Sequence, residues 1–161
     1  MFNLKAEFYL KIIFLFCFIS LISAFFIEYV LGHQPCNLCL IERIPYGLSI
    51  MIIMSIFLIK KNQKFFVLLL ILTFAFSFAI SFYHFGIEQE FFQESSVCGV
   101  NSLTESITKE DLLKQLSEKT ISCRDVTFRI FGLSLTSINI VISLLFIITL
   151  LKIFNEYEKN K

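Results

Sequence analysis

The chain has 161 residues, of which 57% are hydrophobic, 21 are phenylalanine and only 17% are charged; an ordinary soluble domain carries about 25% charged residues. A formal net charge of +1, with no basic stripe, no zinc-finger spacing and no glycine-rich phosphate loop, leaves no reason to expect a nucleic-acid or nucleotide partner. The strongly positive mean hydropathy instead marks a membrane protein, long enough for one domain over residues 1–161.

The first apolar run, about 9–31, has the length that crosses roughly 30 Å of hydrocarbon as a helix. It stays apolar through Phe25-Phe26-Ile27, past the small pair Ser23-Ala24, so it reads as a retained anchor rather than a cleaved signal. Cys17, mid-run, reads as a packing residue, and Glu28, near the outer end, as an interfacial carboxylate.

The loop at about 32–40 holds Cys36-Asn37-Leu38-Cys39, with Arg43 shortly after. A Cys-x-x-Cys pair suits dithiol redox chemistry, a structural disulfide or half of a metal site. If the segment is helical from about Pro35, then Cys36, Cys39 and Arg43 share a face, and the helix N-terminus and the arginine both favour a thiolate. Pro45 offers the other arrangement, a turn holding the cysteines before a helix that starts at Pro45, and proline's ease as a first helical residue favours it. Arg43 at the edge of a span is a functional-site candidate, set against snorkelling or pairing with Glu42.

The second span, about 41–60, ends at the lysine-rich turn 60–64, and a third uncharged span follows at about 65–84. A polar loop, about 85–130, precedes a fourth span at about 131–151. The expected fold is all-α, a four-helix transmembrane bundle. Lysine and arginine number two in Met1–Lys11, three in the turn and three in the tail, whereas the long loop holds five against eight acids. The positive-inside rule therefore places both termini and the turn in the cytoplasm. Cys36, Cys39, Cys98 and Cys123 then all face an exterior that permits disulfides. Within the long loop, Thr108-x-x-Asp111 resembles a capping box, and Leu112, Leu113 and Leu116 share one side of a short amphipathic helix. Two external pairs, one on a loop and one at the bilayer edge, suggest a relay from a soluble dithiol to a lipid-soluble two-electron acceptor.

The run Tyr29-Val30-Leu31-Gly32-x-x-Pro35-Cys36-x-Leu38-Cys39-Leu40-x-x-Arg43-x-Pro45-Tyr46 closely resembles the first external loop of the disulfide bond formation protein B (DsbB) family. The likeness continues at Tyr83-His84-x-Gly86-Ile87-Glu88 and at Cys123-Arg124-Asp125 leading to Phe131-Gly132-Leu133-Ser134, so it spans nearly the whole chain. By that resemblance the protein is a thiol:quinone oxidoreductase of the bacterial inner membrane that uses ubiquinone or menaquinone. It also implies that Cys98 is engaged by a periplasmic thioredoxin-fold oxidase of the DsbA type, and that Cys123 bridges Cys98 at rest and passes the relay to Cys36. Cys39 would face the quinone, Arg43 would help bind it and stabilise the thiolate, and His84 matches a position near it. The stretch Gln93-Glu94-Ser95-Ser96-Val97 lacks the proline common before Cys98 in relatives.

Two other classes compete with this reading. A metal-binding membrane protein would use the four external cysteines with His33, since zinc takes four thiolates. A structural subunit would use the bridges only to staple loops. A vitamin K epoxide reductase-like enzyme is the nearest chemical relative, and the cysteine pair on the long second loop argues against it.

Overall fold

The computed structural model describes residues 4–59, 62–93, 98, 122–124, 129–130 and 132–159. Four long helices make up nearly all of it: α1 (Leu4–Tyr29), α2 (Asn37–Leu58), α3 (Gln63–Glu88) and α4 (Leu135–Lys159). Each has 22 to 26 residues, or roughly 33–39 Å of rise, enough to cross the hydrocarbon with some tilt. All four are apolar enough to span a membrane. Their large side chains also point outward: Leu15 and Ile22 on α1, Met51 on α2, Leu72 and Phe76 on α3, and Leu145 on α4 are exposed. In water such a surface would be a liability, whereas in lipid it is the required one. α3 packs most extensively on α4 and then on α2, α1 packs on α2, and a light α1–α4 contact closes the bundle.

Three of the helix ends that differ from the sequence expectation bear on the site. α2 begins at Asn37 and continues helically through the buried Pro45, so the start at Pro45 is corrected. The side chain of Cys36, in extended backbone just before α2, accepts from Cys39 N–H and caps the helix early; a proline inside a span is tolerated where neighbouring helices compensate its lost bond. α3 runs on to Glu88, because after it the chain folds back and lays Phe92 over Gly86. A Cβ at Gly86 would collide with that ring, which stacks on Tyr83 at 5.7 Å. The fourth helix starts at Leu135, not near 131, because the preceding residues form a small hairpin of β1 (Arg129–Ile130) and β2 (Leu133–Ser134). Gly132, at φ +83°, turns it, and Ser134 Oγ accepts from Ser137 N–H as the helix cap. The amphipathic helix expected around 108–118 lies outside the described residues.

The interior has two tiers. One is dry: Leu10, Ile13 and Cys17 of α1 meet Ile53 and Ile56 of α2, Leu70 and Phe74 of α3, and Leu150 and Ile153 of α4. Cys17 is fully buried there, in the packing role expected of it. The other tier, toward the α1–α2 loop, holds the chemistry.

Candidate functional site

Cys36, Cys98 and Cys123 are all buried in one cluster with Leu38 and Ile87, against which Cys39 and Tyr83 also pack. The structure thus brings together the four cysteines of the two pairs, which come from a helix cap, the first turn of α2 and two points of the long loop. Cys98 and Cys123 form a disulfide with Cα atoms 5.6 Å apart, within the usual range. That bridge removes two of the four thiolates required by the sequence-level zinc reading. Cys36 and Cys39 are unbridged, with sulfurs 2.7 Å apart. Closing a bond of about 2.05 Å from there needs well under 1 Å of movement.

The two thiols of the inner pair are not equivalent. Cys36 is buried, whereas Cys39 is partly exposed. Cys36 is held well below the ordinary thiol range, first by the hydrogen bond from Cys39 and then by His84, with burial working the other way. Its sulfur also sits at the N-terminus of α2, where the helix dipole favours an anion.

His84, in the last turns of α3, is buried with Nε2 3.7 Å from Cys36 Sγ and Nδ1 2.9 Å from Glu42 Oε1. A carboxylate only accepts, so Nδ1 carries the hydrogen and Nε2 faces the sulfur. Glu88, one turn along α3, has an oxygen 4.0 Å from Nε2 and accepts from the Thr136 hydroxyl of α4 at 2.6 Å. Asn139 of α4 donates to Glu42 at 3.1 Å and to Ser81 at 2.7 Å, and its carbonyl accepts from Tyr46. Among the described residues, Cys36, Cys39 and His84 also form a cluster with metal-ligand chemistry, their donor atoms all within 4.8 Å of one another.

Arg43 is directed to α1 rather than to the Glu42 partner weighed from the sequence. It pairs with Glu28, and its guanidinium lies 5.3 Å from the Phe25 ring centroid. Around it Phe25 and Phe26 of α1 and Leu40 and Ile44 of α2 are exposed. The face beside Cys39 is therefore apolar with one fixed cation, a fit for a lipid-soluble ring bearing carbonyl oxygens. Glu28, read from the sequence as an interfacial carboxylate, and Glu42, weighed there only as a partner of Arg43, are the site residues whose partners sequence reasoning did not find. Ionisable groups at membrane depth are costly unless paired, and that cost was the available signal.

Compared with known families, the chain matches the one described as disulfide bond formation protein DsbB over residues 6–153. It is also similar to an uncharacterized protein of Rickettsia prowazekii (strain Madrid E), with 29% identity over 145 residues, or 89% of this chain and 84% of that protein.

Proposed function

The chain belongs to the DsbB family and is a quinone-dependent thiol oxidoreductase of the membrane, and from that premise we propose which residues carry the two electrons and in what order. Cys98 and Cys123 form the outer pair, which exchanges with a periplasmic thioredoxin-fold oxidase of the DsbA type. Both are buried, so the partner's thiolate reaches Cys98 only once that sulfur is uncovered. The partner's second thiol resolves the mixed disulfide on Cys98 and the partner leaves oxidised; Cys123 attacks Cys36 and frees Cys39, and Cys98 then attacks Cys123, so the outer bridge re-forms and the inner pair is left as a dithiol. Cys39, the more exposed residue of the inner pair and the one nearer Arg43 in the chain, is the one at the quinone.

Ubiquinone or menaquinone supplies a two-electron, two-proton acceptor that returns the inner dithiol to a disulfide. Arg43 holds its head group by charge, while Phe25 fixes the guanidinium plane and Glu28 keeps the cation balanced at the bilayer edge. His84 is the second contact toward the quinone. The orientation places both termini in the cytoplasm and both cysteine pairs in the periplasm, across the bacterial inner membrane. The observation that carries the reading is the packing of all four cysteines into one cluster at the end of a lipid-facing bundle.

The test is quinone reduction by the purified protein in detergent, driven by a reduced DsbA-type oxidase and followed at the quinone absorbance. Turnover is expected in the wild type and absent in Cys39→Ser. Turnover that persists in Cys39→Ser would remove Cys39 from the quinone end.

A further inference from the structure

We propose that Cys36, His84 and Glu42 form a nucleophile–base–orienter triad at the cysteine-bearing end of the bundle, in which His84 takes the proton of Cys36 as the inner disulfide closes. Two observations support the assignment. His84 Nε2, the nitrogen left free by the Glu42 bond, faces Cys36 Sγ at 3.7 Å. Glu42 is itself fixed by the Asn139 amide at 3.1 Å, so the imidazole is oriented by a carboxylate that is in turn oriented by α4. A nucleophile, a base and an orienting acid in that chain of contacts is the arrangement that activates weak nucleophiles.

The charges around the imidazole match the task. Facing it are Glu42 from α2, Glu88 from its own helix and Cys36 from the α2 cap, while α4 contributes only the neutral Thr136, 3.4 Å from Nδ1. A buried imidazolium is costly alone. Here it forms between two carboxylates, each held by a neutral donor from α4: Thr136 on Glu88 and Asn139 on Glu42. A pair that only tied α2 to α3 would need neither the second carboxylate nor the ring's aim at the sulfur.

The step balances with the acceptor that the family's activity supplies. The Cys36 and Cys39 S–H bonds break and one Sγ–Sγ bond forms, giving up two electrons and two protons, and quinone takes all four to become quinol. One proton leaves with Cys39. The other passes from Cys36 to His84 Nε2 and on to the quinone, which returns the imidazole to neutral for the next turnover. His84 touches the reacting sulfur and is catalytic, whereas Glu42 acts through it and is a positioning residue.

The experiment is peptide-resolved alkylation of Cys36 by iodoacetamide between pH 4 and 10, on the reduced full-length protein in detergent. It compares the wild type with His84→Gln and Glu42→Gln, each checked for native helicity and for re-formation of the Cys98–Cys123 bridge. The expected result is a His84→Gln profile displaced upward by at least one pH unit, with a tenfold or greater loss of reactivity near pH 6. Glu42→Gln should move the same way by less. Superimposable profiles in folded protein would overturn the triad, and if His84→Gln misfolds, an unmoved Glu42→Gln profile does so. A second arm, which rests on the thiol:quinone reading, follows turnover against pH. His84→Gln should recover toward wild type at the alkaline end of the range, where Cys36 ionises without the imidazole. A wild type that shows the His84-dependent profile but reduces no quinone would refute the proposed relay and leave the triad standing.

Discussion

Arg43 lies one turn beyond Cys39 with two partners that restrain it in different ways. Glu28 balances its charge, and the Phe25 ring constrains its plane. A lysine could keep the first contact but would lose the flat, forked donor set. Arg43→Lys is therefore expected to raise the KM for quinone about tenfold, equivalent to about 1.4 kcal/mol, while exchange between the partner and Cys98 is unchanged. Steady-state kinetics with quinone and partner varied separately would measure both, and an unmoved quinone KM would take Arg43 out of that site. The cysteines and Arg43 stood out by identity and local spacing, whereas His84 was singled out only by the family resemblance. The pairings Glu28–Arg43 and Glu42–His84 were not, since each joins two helices whose relative register no local pattern records. Glu42 was read only as a neighbour of Arg43, although an acid there needs a partner and His84 lies at the matching end of the third span.

Among the helices, Asn139 is the point where α2, α3 and α4 are tied. Its amide donates to Glu42 and Ser81, and its carbonyl accepts from Tyr46 and, at 3.4 Å, from Ser143. Asn139→Ala would leave several buried groups short of partners at once. Interhelical hydrogen bonds in membranes average about 0.6 kcal/mol, so the summed loss should be about 1–3 kcal/mol. It should appear as a lower thermal midpoint in detergent, whereas Val141→Ala, on the lipid-facing side of the same helix, should barely shift it. An Asn139→Ala midpoint equal to wild type would mean that apolar packing alone holds the three helices. Four spans were plain from hydropathy, but their ends were not. Pro45 suggested a helix start, but the sulfur cap of Cys36 had already set one at Asn37, eight residues upstream of that proline, and the 129–134 hairpin is too short to have a strand pattern of its own.

Across the whole molecule, polarity falls along the bundle axis. The end that holds the cysteines carries His84, Glu42, Asn139, Ser81, Ser143 and Ser77, linked in sequence by hydrogen bonds. Beyond Ser77 the interior becomes Phe74, Leu70, Ile53, Ile56, Leu10 and Leu150, all essentially inaccessible. Thr73, at the boundary, bonds back to the Leu69 carbonyl of its own helix and extends no chain. A proton can therefore move within the upper tier but meets about three helical turns of mostly apolar interior below it, each about 5.4 Å, where the buried polar side chains left among the described residues are Ser49, whose hydroxyl bonds to no neighbour, and Gln63 at the start of α3. An enzyme built this way should exchange protons with one side only, the side of its cysteines. In proteoliposomes with the partner supplied outside, turnover should follow external pH and stay constant as internal pH is varied from 6 to 8. Dependence on internal pH would mean that water or protons cross the Phe74–Ile53 layer, and the dry tier would then be a path rather than a seal.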